Sequence, residues 1–446
     1  MKRAQKYDIT AIAPLGGSGT RLYPLTIETP KHLLPIATST IFNRSVKWWA
    51  SQGIRRFVLG VTGYDNRVQT YRFFAHGGRL EREFPEIEFR YSNYHDREYA
   101  DRGSADVFMW ALDHYKDDLR GQDILLINGD NLSETSLDDF YAAHKDRKAA
   151  LSIAVKGLEH DDPRLRDFGT VVFDDRTMKV TQFVEKSLNP PSRFANAAIC
   201  LFSPEIMETF ASPEISGIIS ELRAENRGFD VGGRLIPFMV KNGFDVYAYP
   251  LNGLWSDIGT PHSYRGTTDD ILRGGYPQFR SNEESKTQAG KELDYYERVG
   301  DSLVHTTTKK RLGDARLKAS LKGHCIIGKD VDIGPGSTIR NSVIDDSCYL
   351  GNGVHIDGVT TAFPFVRIED GARVANSIIG YNVIVGHGAN LAPGSVLADN
   401  LNIPADFEIG VDWRVVGNAH RNKVMDPKNN YAVVEELEEM DAFAFR

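Results

Sequence analysis

Apolar positions divide the chain into two regimes. Through about residue 275, short apolar runs alternate with segments whose apolar residues fall at helical spacing. "DITAIAPL" (8–15), "RRFVLGVTG" (55–63), "DILLINGD" (123–130), "AALSIAVKG" (149–157) and "FDVYAYPL" (244–251) read as strands. "FNRSVKWWASQG" (42–53), "SADVFMWALDHY" (104–115) and "LDDFYAAHKD" (137–146) read as helices. The alternation predicts a layered α/β domain, Rossmann-like, with a mostly parallel sheet. Its ligand belongs beyond the carboxyl ends of the strands, where Gly16 and Asp130 fall.

Residues 276–318 turn polar and read as a linker with a short helix. After it the period changes. Ile327, Ile333 and Ile339 are six apart, as are Ile344, Leu350 and Ile356, and again Ile379, Val385, Leu391, Leu397, Ile403 and Ile409. Gly328, Gly334, Gly351, Gly380, Gly386 and Gly410 each follow one of these directly. An apolar repeat of six with a small residue after it marks a parallel β-helix. The interruption "DGVTTAFPFVR" near 357–367 is expected to be a loop thrown out of one coil. The tail ends in "VVEELEEMDAFAFR" and is expected to form a short acidic helix. The organisation is therefore 1–275 α/β domain, 276–318 linker, 319–412 β-helix and 413–446 tail.

Composition narrows the class. The 446 residues suit about three domains. A net charge of −8 argues against a general nucleic-acid binder, and no apolar run is long enough for a membrane span. The opening "MKRAQKYDIT" lacks the apolar core of a secretory signal. Three scattered cysteines, Cys200, Cys325 and Cys348, fit neither a disulfide framework nor a zinc site. A cytoplasmic protein is expected.

The densest chemistry lies in "PLGGSGTRLYPLTIETPKHLLPI" (14–36). Gly16, Gly17 and Gly19 after a strand expose backbone N–H groups to an anion. Arg21 adds a planar fork of donors, and Lys31 a compact charge. Pro24, Pro30 and Pro35 stiffen the stretch. No Gly-Lys-Ser/Thr follows, which excludes a Walker loop, and "GGSGTRL" lacks the third glycine of a dinucleotide fingerprint. Asp130 in "INGDN" and Asp257 in "GLWSDIGT" stand at strand ends, where carboxylates can hold Mg2+. Glu185 and Lys186 end the strand of "VTQFVEKS", and Asn196 precedes the strand of "FANAAICLF". Each has a plain reading as well: a turn for Asp130, Asp257 and Asn196, an exposed ion pair for Glu185 and Lys186.

The ordered series "GGSGTRLYPLT", "GSAD", "NGD", "FGTVVFD", "FVEK", "ANAA" and "WSDIGT" resembles the sugar-1-phosphate nucleotidylyltransferases, the nucleotide-sugar pyrophosphorylases. With the hexapeptide repeat, the likeness covers nearly the whole chain. It implies a nucleotide-binding α/β domain followed by a left-handed β-helix. It also implies Mg2+-dependent transfer of a nucleoside monophosphate from a nucleoside triphosphate to a hexose 1-phosphate, releasing pyrophosphate. By that resemblance Gly16, Gly17, Gly19 and Thr20 hold the nucleotide, and Arg21 and Lys31 are the catalytic basic pair on the triphosphate. Asp130 and Asp257 are the metal ligands, and Gly103 lies beside the base. Gly169, Glu185, Lys186 and Asn196 form the sugar-phosphate pocket. Departures are Leu15 for Ala, "AAIC" (197–200) for Gly-Ile-Tyr, and "EKS" for Glu-Lys-Pro.

"RGSADVF", "FVEKSLNPPS" and "FDVGGRLIPF" are similar to ADP-glucose pyrophosphorylases, implying glucose 1-phosphate. "TPKHLLPI" and "NGDN" are similar to thymidylyl- and uridylyltransferases, and mannose-1-phosphate guanylyltransferases share the two-domain layout. Glu98 stands where pyrimidine-using members carry Gln. A carboxylate only accepts hydrogen bonds, so it suits a purine amine rather than a pyrimidine O4. Two rivals remain: a non-catalytic regulatory homologue, and a bifunctional enzyme whose β-helix transfers acyl groups through His355 or His387. The expected role of the β-helix is assembly into a homo-oligomer, a dimer or tetramer.

Overall fold

The computed structural model describes residues 7–17, 19–61, 64–74, 84–91, 104–225, 228–276 and 295–446. It separates into two compact units. One takes the chain up to Gly17 together with Ser45–Asp257; the other takes Ser18–Arg44 with Ile258–Arg446. The contiguous boundary expected at 275 is thus replaced by a division in which a 27-residue segment, 18 to 44, crosses over.

The first unit is built on a nine-stranded sheet. Strands Glu88–Tyr91, Arg56–Val61, Ile9–Leu15 and Asp123–Ile127 lie side by side and parallel. Phe194–Phe202 follows, antiparallel to Asp123–Ile127. Leu151–Gly157 and Gly169–Phe173 both pair antiparallel with Phe194–Phe202. Val246–Pro250 is parallel to Leu151–Gly157, and Val180–Glu185 antiparallel to Gly169–Phe173. Only Phe194–Phe202 and Val180–Glu185 oppose the rest, so seven of nine strands share one direction. Asp123–Ile127 is buried along its length, as a central strand covered on both faces must be. The helices obey local signals too. Ser136 accepts the Asp139 N–H at the start of Leu137–Asp146, with Asp138 and Asp139 in its first turn and His144 and Lys145 in its last.

The second unit is a left-handed β-helix of three stacked parallel sheets. Inward residues stack coil on coil, as Ile327, Ile344, Ala362, Ile379, Leu397 and Val415. Ile327 to Ile344 spans 17 residues and Ile344 to Ala362 spans 18, which is three steps of about six. The glycine after an apolar position makes room for the next coil. A Cβ on Gly328 or Gly380 would lie 2.5 Å from Oδ1 of Asp346 or Asp399. Those oxygens accept the N–H groups of Lys329 and Tyr381 in the coil before.

Three expectations are corrected here. No loop leaves the coil at 357–367: Thr361–Ala362 pairs with both neighbouring coils, and the six-residue phase runs on through Ala362, Ile368 and Val374. Alanine at the inward position hid the repeat. The described part of the 276–318 segment is not linker. Tyr296–Val299 and Ser302–His305 extend the β-helix sheet that contains Ile326–Ile327, and helices Thr306–Leu312 and Asp314–Ser320 follow. The tail is not an acidic helix either. Val433–Leu437 and Ala442–Phe445 form a hairpin on Arg414–Gly417, with Phe443 and Phe445 buried. The last coil offers an open strand edge, and pairing with it outweighs the helical preference of the glutamates.

No described helix is long and apolar enough to cross a membrane. All three cysteines are free and buried.

Candidate active site

In the first unit, Gly16 and Asp130 each lie four residues beyond Ile12 and Leu126, the last registered pair of neighbouring parallel strands. Gly17 has φ +102°, a conformation open to glycine alone without strain. Directly after Asp130, Asn131–Ser133 forms a two-stranded ribbon with Trp255–Asp257, and Asp257 stands opposite Asn131. The two carboxylates expected to share a metal are therefore brought to one end of one ribbon, though 127 residues separate them in sequence. Among the described residues no group of three or more His, Cys, Asp or Glu is placed to hold a metal.

The ribbon is tied to the sheet through one carbonyl. Asn131 Nδ2 and Trp255 Nε1 both donate to the Ala197 oxygen, each at 3.0 Å. That carbonyl lies where the register of Phe194–Phe202 breaks, between Asn196 and Cys200. Ala198 has φ +54°, and its N–H donates to Asn196 Oδ1 at 3.0 Å. Asn196 thus holds a β-bulge rather than a turn, and "AAIC" is the bulge itself.

Glu185 occupies a second niche. Cβ atoms on Gly169 or Gly232 would each lie 2.7 Å from its Oε2, so the carboxylate rests against two bare backbones. Burial raises its pKa, opposed by Lys186 and reinforced by Asp230. Lys186 Nζ lies 3.7 Å from Glu185 Oε1, and the lysine takes φ +46° with an exposed side chain. Phe168, whose carbonyl accepts the Lys186 N–H at 3.2 Å, packs edge-on to Trp255 at 5.3 Å. The niche and the carboxylate ribbon are thereby joined. Asp230 accepts the Ser104 N–H, and Ser104 Oγ accepts the Val231 N–H, which anchors helix Ser104–His114 to the same region. Asp230, Gly232 and Trp255 were not singled out in the sequence, although "FDVGG" and "GLWSD" contain them. Gly103 and Glu98 lie outside the described residues.

Gly19, Thr20, Arg21 and Lys31 belong to the second unit. Gly19 takes φ +60° and opens the single turn Thr20–Leu22; its carbonyl accepts Thr26 Oγ1 at 2.7 Å. Arg21 is exposed, and Lys31 begins a second turn, Lys31–Leu33, behind Pro30. Tyr264 OH donates to the Pro35 carbonyl at 2.6 Å, fixing the far end of the segment to helix Pro261–Leu272.

A model of the family described as nucleotidyl transferase matches residues 11–274, more than half of the chain. The chain belongs to the nucleotidyl transferase family. Eight of the nine strands of the sheet fall wholly inside that match, and Ile9–Leu15 does so from its third residue on. A second model, described as the EIF2B subunit epsilon LbH domain, matches residues 309–409, the stacked coils. Among curated proteins, the chain is 26% identical over 393 residues to mannose-1-phosphate guanylyltransferase 1 of Arabidopsis thaliana, covering 88% of this chain and 92% of the relative. It is 26% identical over 352 residues to mannose-1-phosphate guanylyltransferase of Mycobacterium tuberculosis, with 79% and 84% covered. It is 25% identical over 333 residues to glucose-1-phosphate adenylyltransferase of Desulforamulus reducens, with 71% and 75% covered.

Proposed function

We propose that the chain transfers a nucleoside monophosphate from a purine nucleoside triphosphate to a hexose 1-phosphate, giving a nucleotide sugar and pyrophosphate. The observation that carries this reading is the ribbon that sets Asp257 opposite Asn131, beside Asp130. Two carboxylates suit Mg2+, which keeps several waters and takes further ligands from substrate phosphates. Bound there by Asp130 and Asp257, the ion would offset charge on the phosphates.

The chain's own residues do the rest. Backbone N–H groups at Gly16, Gly17, Gly19 and Thr20 receive the nucleotide phosphates, and Arg21 and Lys31 pair with the triphosphate charge. Lys186 meets the sugar phosphate, and Glu185 accepts from sugar hydroxyls. Gly169 leaves room for that carboxylate, and Asn196 holds the bulge beneath. Gly103 and Glu98 are assigned to the base by the family resemblance alone. A phosphate oxygen of the sugar phosphate forms a bond to the α-phosphorus as the bond to pyrophosphate breaks, so no covalent enzyme intermediate is needed.

Both kinds of relative are named for purine nucleotides, which supports the inference drawn from Glu98. The guanylyltransferases align over more of their length, so GTP with mannose 1-phosphate is the first reading. The motifs "RGSADVF" and "FDVGGRLIPF" favour ATP with glucose 1-phosphate as the second. The protein is proposed to act in the cytoplasm as a homo-oligomer assembled through its β-helix.

Pyrophosphate release with Mg2+ across GTP, ATP, UTP and dTTP, each with mannose and glucose 1-phosphate, tests this. A purine pair is expected to exceed any pyrimidine pair about tenfold or more in kcat/KM. Preference for UTP or dTTP rejects the purine reading. No release from any pair rejects the enzyme.

A further inference from the structure

The exposed Arg21 springs from a backbone gripped on both sides by the far end of the chain. The Thr20 carbonyl, coplanar with the Arg21 N–H, accepts Tyr431 OH at 2.6 Å. The Arg21 carbonyl, coplanar with the Leu22 N–H, accepts Arg414 Nη1 at 3.2 Å. The same nitrogen reaches the Tyr23 carbonyl at 3.1 Å and Tyr431 O at 2.9 Å. A peptide plane whose carbonyl is fixed has its N–H fixed as well. With both planes held, φ and ψ of Arg21 are set from outside the loop.

The grip is built on rigid parts. Arg414 begins the last strand of the β-helix and pairs with Phe445 of the terminal hairpin. The Tyr431 ring packs 4.9 Å from Phe445 and lies 5.2 Å beneath the Arg414 guanidinium. Burial raises the Tyr431 phenol above its ordinary value, so it stays a donor at neutral pH. Further along, Lys423 Nζ donates to the Ile27 carbonyl, and His420 Nε2 lies 3.0 Å from Glu28 Oε1. Packing alone would not need two side chains aimed at consecutive carbonyls around one cation.

We propose that Arg414 and Tyr431 are positioning residues for Arg21, so that the end of the β-helix sets the aim of the cation that meets the triphosphate. The proposal rests on the nucleotidyl-transfer reading given above for Arg21.

The test is a double-mutant cycle on the full chain. Tyr431→Phe keeps the ring and removes the donor; Arg414→Lys keeps the charge and removes the fork. Each is expected to lower kcat about ten- to a hundredfold, with KM for the sugar phosphate unchanged. In an Arg21→Ala background, Tyr431→Phe is expected to cost nothing further. An equal fold-loss in both backgrounds assigns Tyr431 a structural role only and overturns the proposal. Hydrogen exchange at the Leu22 and Tyr23 amides gives a readout that needs no turnover. Exchange is expected to rise about tenfold in Tyr431→Phe. Unchanged exchange overturns the grip, even in a protein that turns over no nucleotide and so fails the functional reading instead.

Discussion

At the scale of single residues, the clearest dependence is that of Glu185 on glycines it does not touch in sequence. A methyl on Gly169 would stand 2.5 Å from Cζ of Phe183 as well as 2.7 Å from Glu185 Oε2. Ring and carboxylate cannot both stay, and overpacking of this kind costs about 1–3 kcal/mol. Gly169→Ala is therefore expected to fold less stably and to raise KM for the sugar phosphate about tenfold or more, with KM for the nucleoside triphosphate little changed. Steady-state kinetics with each substrate varied in turn checks it, and an equal rise in both KM values counts against the niche. Candidate residues were legible where their chemistry and setting single them out, as for Arg21, Asp130 and Asp257. Asn196 was legible as a polar residue before a strand and no further. Its bulge exists because Asn131 and Trp255, 65 and 59 residues away, both claim the carbonyl of Ala197.

At the scale of elements, one corner device recurs along the β-helix with opposite electrostatic results. Asp370 accepts the Asn352 N–H in the open, and that bond lowers its pKa. Asp399 accepts the Tyr381 N–H in the same way, but burial dominates, Glu28 adds repulsion, and its carboxyl is pushed up to about 6. An unfolded aspartate titrates near 3.9. Between those values the folded chain holds the proton more tightly, so the stability due to Asp399 is full below about pH 4 and lost as pH rises through 6. Asp399→Asn keeps the acceptor and removes the charge. It is expected to stabilise the protein by about 2–3 kcal/mol at pH 8, by about half that at pH 5, and not at all near pH 3.5. Denaturant unfolding at the three pH values decides it, and a gain independent of pH contradicts the assignment. The repeat was legible because each inward residue is a local signal of fixed period. The coil at Ala362 was not, since a small inward residue carries no such signal. The terminal hairpin was not either, since its partner strand lies outside it in sequence.

At the scale of the whole molecule, the consequential fact is that folding and function are divided differently along the chain. The match to the nucleotidyl transferase model ends at residue 274, and the sequence invites a cut there. Yet Ser18–Arg44, with Gly19, Thr20, Arg21 and Lys31, packs with Ile258–Arg446. Tyr23 and Ile27 are 3% and 6% exposed within the β-helix core cluster. Burying one such side chain contributes about 1.5–3 kcal/mol. A fragment of residues 1–275 keeps every residue proposed to touch substrate but loses Arg414, Lys423 and Tyr431. Its segment 18–44 would retain Tyr264 as an anchor at Pro35. The fragment is expected to be cut by trypsin after Arg21 and Lys31 at least about tenfold faster than the full chain, and to release no pyrophosphate, while its nine-stranded sheet still forms. Limited proteolysis mapped by mass spectrometry, with far-UV circular dichroism alongside, separates the outcomes. A fragment that resists cleavage there and turns over substrate at the full rate would mean that segment 18–44 takes its shape from its own three prolines. The β-helix would then have no part in setting it.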